Sequence, residues 1–172
     1  MKLLSLIVLI MLCSISLQSA GKLDACLIFT KADAEALLGQ PVKDGRHGIM
    51  ESDGSGGTAI MSQCVYHTVA DYGKSADLVI RKSPSSEKVS ASIDTVRKTL
   101  KEMATAEPQN ISGVGDTAFW APIGQGAFHS IQLSVFRGTS IYLIISVKGF
   151  PDQQALEKAK TIAQKTLSQL PS

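Results

Sequence analysis

Apolar and polar positions recur along this chain in an order that repeats. Behind Met1-Lys2, the run from Leu3 to Leu12 is almost unbroken in its apolar character. Its length suits the core of a secretion leader and falls short of the roughly 20 residues that span a bilayer. A short helical pattern follows at Lys31-Ala32-Asp33-Ala34-Glu35-Ala36-Leu37-Leu38-Gly39. Thr30 is placed to cap its free amides, Asp33 and Glu35 suit its positive end, Gly39 suits its exit and Pro41 forbids continuation. Next come a weakly patterned strand near 42–50, a glycine-serine loop at Asp53-Gly54-Ser55-Gly56-Gly57 and a better strand from Thr58 to Thr68. A turn at 70–73 leads to a third strand, Ala76 to Arg81.

The second half restates that order. Ser85-Ser86-Glu87-Lys88 opens a longer helix in which Val89, Ile93, Val96 and Leu100 share one face, while Lys88, Asp94, Arg97, Lys98 and Lys101 lie off it. After Pro108 comes Ile111-Ser112-Gly113-Val114-Gly115-Asp116-Thr117-Ala118-Phe119-Trp120. Two apolar runs follow, Ser130 to Phe136 and Thr139 to Val147, joined by a tight hairpin at Arg137-Gly138. Asp152 is placed to cap a last helix whose Leu156, Ala159, Ile162, Ala163, Thr166, Leu167 and Leu170 form an apolar face. The expected class is α+β: a twisted, mostly antiparallel sheet of about six strands with helices on one face, as two α-β-β-β halves plus a C-terminal helix. The other face is expected to be partly open.

Composition decides the compartment and removes several function classes. Residues 1–21 read as a signal peptide, with small residues at Ser14, Ser16, Ser19, Ala20 and Gly21 to accept cleavage, and 22–172 read as one domain. Leu12 before Cys13 and Asp24 near Cys26 do not fit a lipidation signal, so the chain is expected to be periplasmic or secreted without a lipid anchor. Losing Lys2 from 17 basic residues against 15 acidic ones leaves the mature chain close to neutral, with its charges scattered singly. That gives no electrostatic footprint for nucleic acid, and no segment beyond the leader is long and apolar enough to be transmembrane.

The cysteines follow from the compartment. Cys13 leaves with the leader, and Cys26 and Cys64 are expected to form a disulfide in an oxidising setting. The rival is a metal site built from Cys26, Cys64 and His67, but Cys64 and His67 point to opposite faces of a strand. No metal and no cofactor are expected.

Catalytic signals are weak throughout, and no catalytic residue is assigned. Asp53-Gly54-Ser55-Gly56-Gly57 has a superficial likeness to a serine-protease turn, but His47, His67 and His129 show no partner aspartate at a telling position. Ser85-x-x-Lys88 has the spacing of penicillin-binding enzymes, yet no Lys-Thr-Gly follows, and helix capping explains it better. Asn110-Ile111-Ser112 fits a glycan acceptor or a plain turn. Gly113-Val114-Gly115-Asp116 leads into an extended run rather than a helix, so it is not a phosphate loop. Its glycines permit a tight turn, and Asp116 is expected to bond backbone amides within or beside it.

Taken together, Asp24-Ala25-Cys26-Leu27, Ala36-Leu37-Leu38-Gly39-Gln40-Pro41-Val42, Cys64-Val65-Tyr66 and Ile111-Ser112-Gly113-Val114-Gly115-Asp116-Thr117-Ala118, followed by a hairpin and an Ala-rich helix, resemble a family. It is a family of small secreted bacterial proteins and lipoproteins of unknown function. The pattern also resembles the extracellular sensor domain of mycobacterial serine/threonine kinases of the PknH type. The resemblance implies a twisted antiparallel sheet with helices, an early cysteine bridged to a sheet cysteine, and a cleft for an unidentified ligand. Tyr66, Trp120, His129, Phe136 and Tyr142, on or beside strands, either line that cleft or pack the sheet. The expected place for the cleft is between the open sheet face and the glycine-rich loops at 51–57 and 121–127. The function expected is non-catalytic binding or sensing of a small molecule, lipid or envelope component. The alternatives are a protein-interaction module, as inhibitor or assembly factor, and an envelope hydrolase.

Overall fold

The structure, a computed structural model of the 172-residue chain, describes residues 23–54, 57–70, 73–84 and 89–170. The segment 1–21 that reads as a leader, the loop residues Ser55 and Gly56, and Ser85-Ser86-Glu87-Lys88 lie outside the described residues. Asp24 starts the fold. Its carboxylate accepts from the amides of Cys26 (2.8 Å) and Leu27 (3.3 Å) and sets up the short helix α1, Ala25–Ile28. Helix α2, Lys31–Leu38, opens with a reciprocal box in which Thr30 and Asp33 satisfy each other's backbone amides, and it closes on Gly39 in the left-handed conformation.

Seven strands form one antiparallel sheet: β1 (Arg46–Gly54), β2 (Gly57–His67), β3 (Ser75–Lys82), β4 (Gln109–Ile111), β5 (Thr117–Ile123), β6 (Ser130–Arg137) and β7 (Ile141–Lys148). Helix α3, Val89–Met103, separates the two groups of strands, and α4, Asp152–Gln169, ends the fold. The sheet order is β1-β2-β3-β7-β6-β5-β4, so the last strand of each half meets the other at the centre. The expected six strands become seven because of β4, a three-residue edge held by Ile111 opposite Ala118 and Gln109 opposite Trp120. So short and polar a segment carries no period of its own. The first strand begins at Arg46 rather than near 42, and Val42 makes an isolated bridge to Thr68 instead.

The main core lies on one face. Leu78 and Ile80 of β3, Leu133 and Val135 of β6, and Leu143 and Ile145 of β7 meet α1, α2 and α4 there. Full burial of one such side chain contributes about 1.5–3 kcal/mol. The expectation that all helices share one face holds for α1, α2 and α4, and α3 is the exception. Its Ile93, Val96 and Leu100 pack with Phe119, Ala121, Phe136 and Tyr142, which project from the opposite face. The second half therefore adds the edge strand β4 to the three-strand order of the first and does not repeat the placement of its helix.

Three tethers fix the framework. Cys26 of α1 is disulfide-bonded to Cys64 of β2 with Cα atoms 5.0 Å apart, so neither sulfur is available to a metal, and the amide of Ala25 donates to Ser62 Oγ at 2.9 Å. At the 113–116 turn, Gly115 has a φ of +63°, and an added Cβ would fall 2.6 Å from the carbonyl oxygen of Phe136. There Asp116 N donates to that carbonyl (2.8 Å), while its carboxylate accepts from Gly138 N (2.7 Å), stitching the turn to the β6–β7 hairpin. Arg137, read from sequence as part of a hairpin tip, instead reaches the end of α4 and donates to the carbonyls of Leu167 (2.5 Å) and Leu170 (3.0 Å).

Candidate functional site

Residues directly opposite in antiparallel strands share a face, so the strand pairing lists what projects opposite the main core. One row across the sheet runs Gln63, Val79, Ile144 and Ser134. The next runs Val65, Asp77, Ser146 and Gln132, and the third His67, Ser75, Lys148 and Ser130. The α3 cluster covers the β5 and β6 end of this face and reaches Tyr142 of β7. Beyond it, over β2 and β3, the floor side chains Gln63, Val65, His67, Asp77 and Val79 are only half-buried. The result is a polar trough on a half-covered sheet face, with α3 as one wall.

Its electrostatics are specific. Gln63 Nε2 donates to both carboxylate oxygens of Asp77, at 3.1 and 3.0 Å, across neighbouring strands. Burial pushes the Asp77 carboxyl up to about 6, against the opposing pull of the Gln63 bond and the Arg46 charge. His67 Nε2 lies 3.1 Å from Arg46 Nη2, which donates to it when the proton sits on Nδ1. Burial, then Arg46, Lys148 and Lys43, push the His67 pKa down, favouring the neutral ring. Burial likewise pushes the Tyr142 hydroxyl up to about 12, and that hydroxyl lies 3.4 Å from Ser134 Oγ. Asp77 and Gln63 escaped the sequence reading. The available signal was an acid inside the apolar strand Ala76-Asp77-Leu78-Val79-Ile80.

Where this trough meets the strand ends, a cavity of about 560 Å³ opens. Gly73 contributes from the β2–β3 turn, Gly126, Ala127 and His129 from the β5–β6 connection, and Lys148 to Pro151 from the β7–α4 connection. Lys148 belongs to both the trough row and the cavity wall. Gly149 has a φ of +87°, and a Cβ there would lie 2.5 Å from the Gly73 carbonyl, so the two turns close on each other only through glycine. His129 Nε2 lies 2.6 Å from Asp152 Oδ1, which ties the β5–β6 connection to the head of α4. Asp152 is thus the first residue of α4 with its carboxylate on His129, and Pro151, not Asp152, occupies the cap position. His47 also has an acid partner, Asp24, at 3.3 Å. Two of the three histidines therefore pair with aspartates distant in sequence, which no local spacing announces. A smaller cavity of about 270 Å³ lies between α2 and α4, under the Asp33–Lys165 ion pair.

The five aromatic and histidine residues singled out from sequence do not converge. Tyr66 is buried on the main-core face, edge-on to Phe29 at 5.4 Å. Trp120 is partly buried against the same core from β5. Phe136 is buried under α3 and stacked on Tyr142 at 4.5 Å. Tyr142 stands at the edge of the trough, and His129 lines the strand-end cavity. Of the two loops expected to flank a cleft, the one at 121–127 supplies Gly126 and Ala127 to the cavity wall, while the tip of the one at 51–57 lies outside the described residues. Among the described residues no group of three or more His, Cys, Asp and Glu is arranged to hold a metal ion. No helix among them is long and apolar enough to cross a membrane.

Comparison with known proteins adds the fold and nothing finer. No family model and no curated protein matches the sequence. Among solved structures, the extracellular domain of PknH from Mycobacterium tuberculosis is similar, with a TM-score of 0.51 and 13% identity, over 84% of this chain and 95% of that one. At that identity the likeness is one of fold.

Proposed function

We propose that this chain is an exported, non-catalytic binding domain of the sensor kind, holding a small molecule, lipid or envelope component against its half-covered sheet face. The observation that carries the reading is the polar trough around Asp77 and Gln63, continuous through Lys148 with a cavity of about 560 Å³. That volume lies within the ordinary range of ligand sites, and perturbed carboxyl groups concentrate where ligands bind. The leader-like segment and the Cys26–Cys64 bridge support export. The similarity in fold to the extracellular domain of PknH supports a sensor-like role. Native mass spectrometry of protein recovered from its own envelope tests the reading. A discrete adduct that disappears on denaturation is expected, and bare protein in repeated preparations contradicts it.

A second reading has its own observation. Strand β1 is a nine-residue sheet edge, its described side chains largely exposed, with Met50 60% exposed. Long open edges are templates for strand addition, so a protein-interaction module would use β1 rather than the trough.

A further inference from the structure

We propose that the strand-end cavity takes a small amphiphilic anion, a carboxylate or phosphate group on an apolar body, with Lys148 as its counter-charge. This rests on the binding-domain reading and names the ligand class. The walls divide by chemistry. Ala127, Phe150 and Pro151 present apolar surface, while Lys148 supplies a cation from the trough side. Two further ammonium groups flank the Phe150 wall, Lys74 Nζ at 4.8 Å and Lys158 Nζ at 4.5 Å from the ring centre. Lys158 also donates to the Leu37 carbonyl. Among the described residues no carboxylate lies within ion-pair distance of Lys74, Lys148 or Lys158. The acid at the head of α4, Asp152, is directed to His129 instead.

Lys148 in the wall, with Lys74 and Lys158 behind it against the Phe150 ring, favours an anion over a cation, and the partly buried wall weakens salt screening. Phe128 is 81% exposed beside the opening, with Lys148 Nζ 5.9 Å from its ring centre. An apolar body entering the cavity would bury that ring along with Phe150, and the anionic head would draw Lys148 off it.

The test is an amide chemical-shift titration of the exported protein with hexyl phosphate, hexanoate, hexanol and inorganic phosphate. Hexyl phosphate and hexanoate are expected to shift the amides of Lys148, Gly149, Gly126 and Ala127 saturably. Hexanol, lacking the charge, and inorganic phosphate, lacking the apolar body, are each expected to bind at least tenfold more weakly. Lys148→Gln is expected to cost hexyl phosphate at least tenfold while leaving the dispersed spectrum of the folded protein intact. Equal binding of hexanol and hexyl phosphate, or an unaltered Lys148→Gln variant, would overturn the anion assignment and leave ligand binding standing. Equal binding of inorganic phosphate would overturn the apolar part. Failure of every probe at these four amides would overturn the site itself, whereas the wider binding reading fails separately, on the bare protein of the native-mass experiment.

Discussion

Asp77 shows how far one residue departs from what its sequence neighbours announce. In Ala76-Asp77-Leu78-Val79-Ile80 it reads as an ordinary strand position, yet the pairing of β2 with β3 sets it beside Gln63 on a half-covered floor. Its folded pKa of about 6 stands above the unfolded carboxyl value. The charged form therefore disfavours folding, fully above pH 6, and that penalty fades as pH falls through 6 toward 4. A two-unit displacement corresponds to at most about 3 kcal/mol. Asp77→Asn keeps an acceptor for the Gln63 amide and is expected to raise stability by about 1–3 kcal/mol at pH 8, with no gain at pH 4. Thermal melts of both proteins across that range check it. His67, whose depressed pKa makes acid destabilising below about 6.5, acts equally in both chains and cancels in the comparison. Arg137 was similarly opaque: its partners Leu167 and Leu170 lie 30 and 33 residues away. Arg137→Ala leaves two α4 carbonyls without their charged donor and is expected to cost about 1–3 kcal/mol in urea unfolding.

Elements were more legible than the faces they occupy. The start and stop of α2 could be read from Thr30, Asp33 and Gly39 because caps are local chemistry, and the structure has each of them in that role. The apolar stripe of α3 is equally clear, but a stripe says that a helix is amphipathic and not which side of a sheet receives it. The decisive signal is tertiary: β7 alternates buried and half-buried positions, whereas β6 is buried on both faces from Ile131 to Phe136, including Ser134 and Gln132. Leu100→Ala is therefore expected to destabilise by about 2–4 kcal/mol, as a core deletion does, even though Leu100 lies outside the main core. Chemical denaturation with an unchanged slope checks that. The disulfide belongs to this scale too, because it clamps α1 to β2 across 38 residues. Paired Cys26→Ser and Cys64→Ser substitutions are expected to cost about 4 kcal/mol by the loop-entropy relation, and thiol titration of the denatured native protein is expected to find no free thiol.

At the scale of the molecule, the α+β class and the antiparallel sheet followed from strands grouped in hairpins between helices, while of the candidate site only the open sheet face, the 121–127 loop and His129 were legible. Its floor is assembled from β2, β3, β6 and β7, and its end cavity from three turns, so no contiguous motif carries it. The aromatic residues that stood out in sequence serve mainly to pack the sheet, and polar residues that looked ordinary form the trough. The most direct measurement is an amide-shift map of the folded protein titrated with a small-molecule extract of the cells that make it. Saturable shifts centred on Asp77, Ser146, Lys148 and Gly149 are the result this account predicts. Shifts confined to β1, or none that saturate anywhere on the half-covered face, would contradict it.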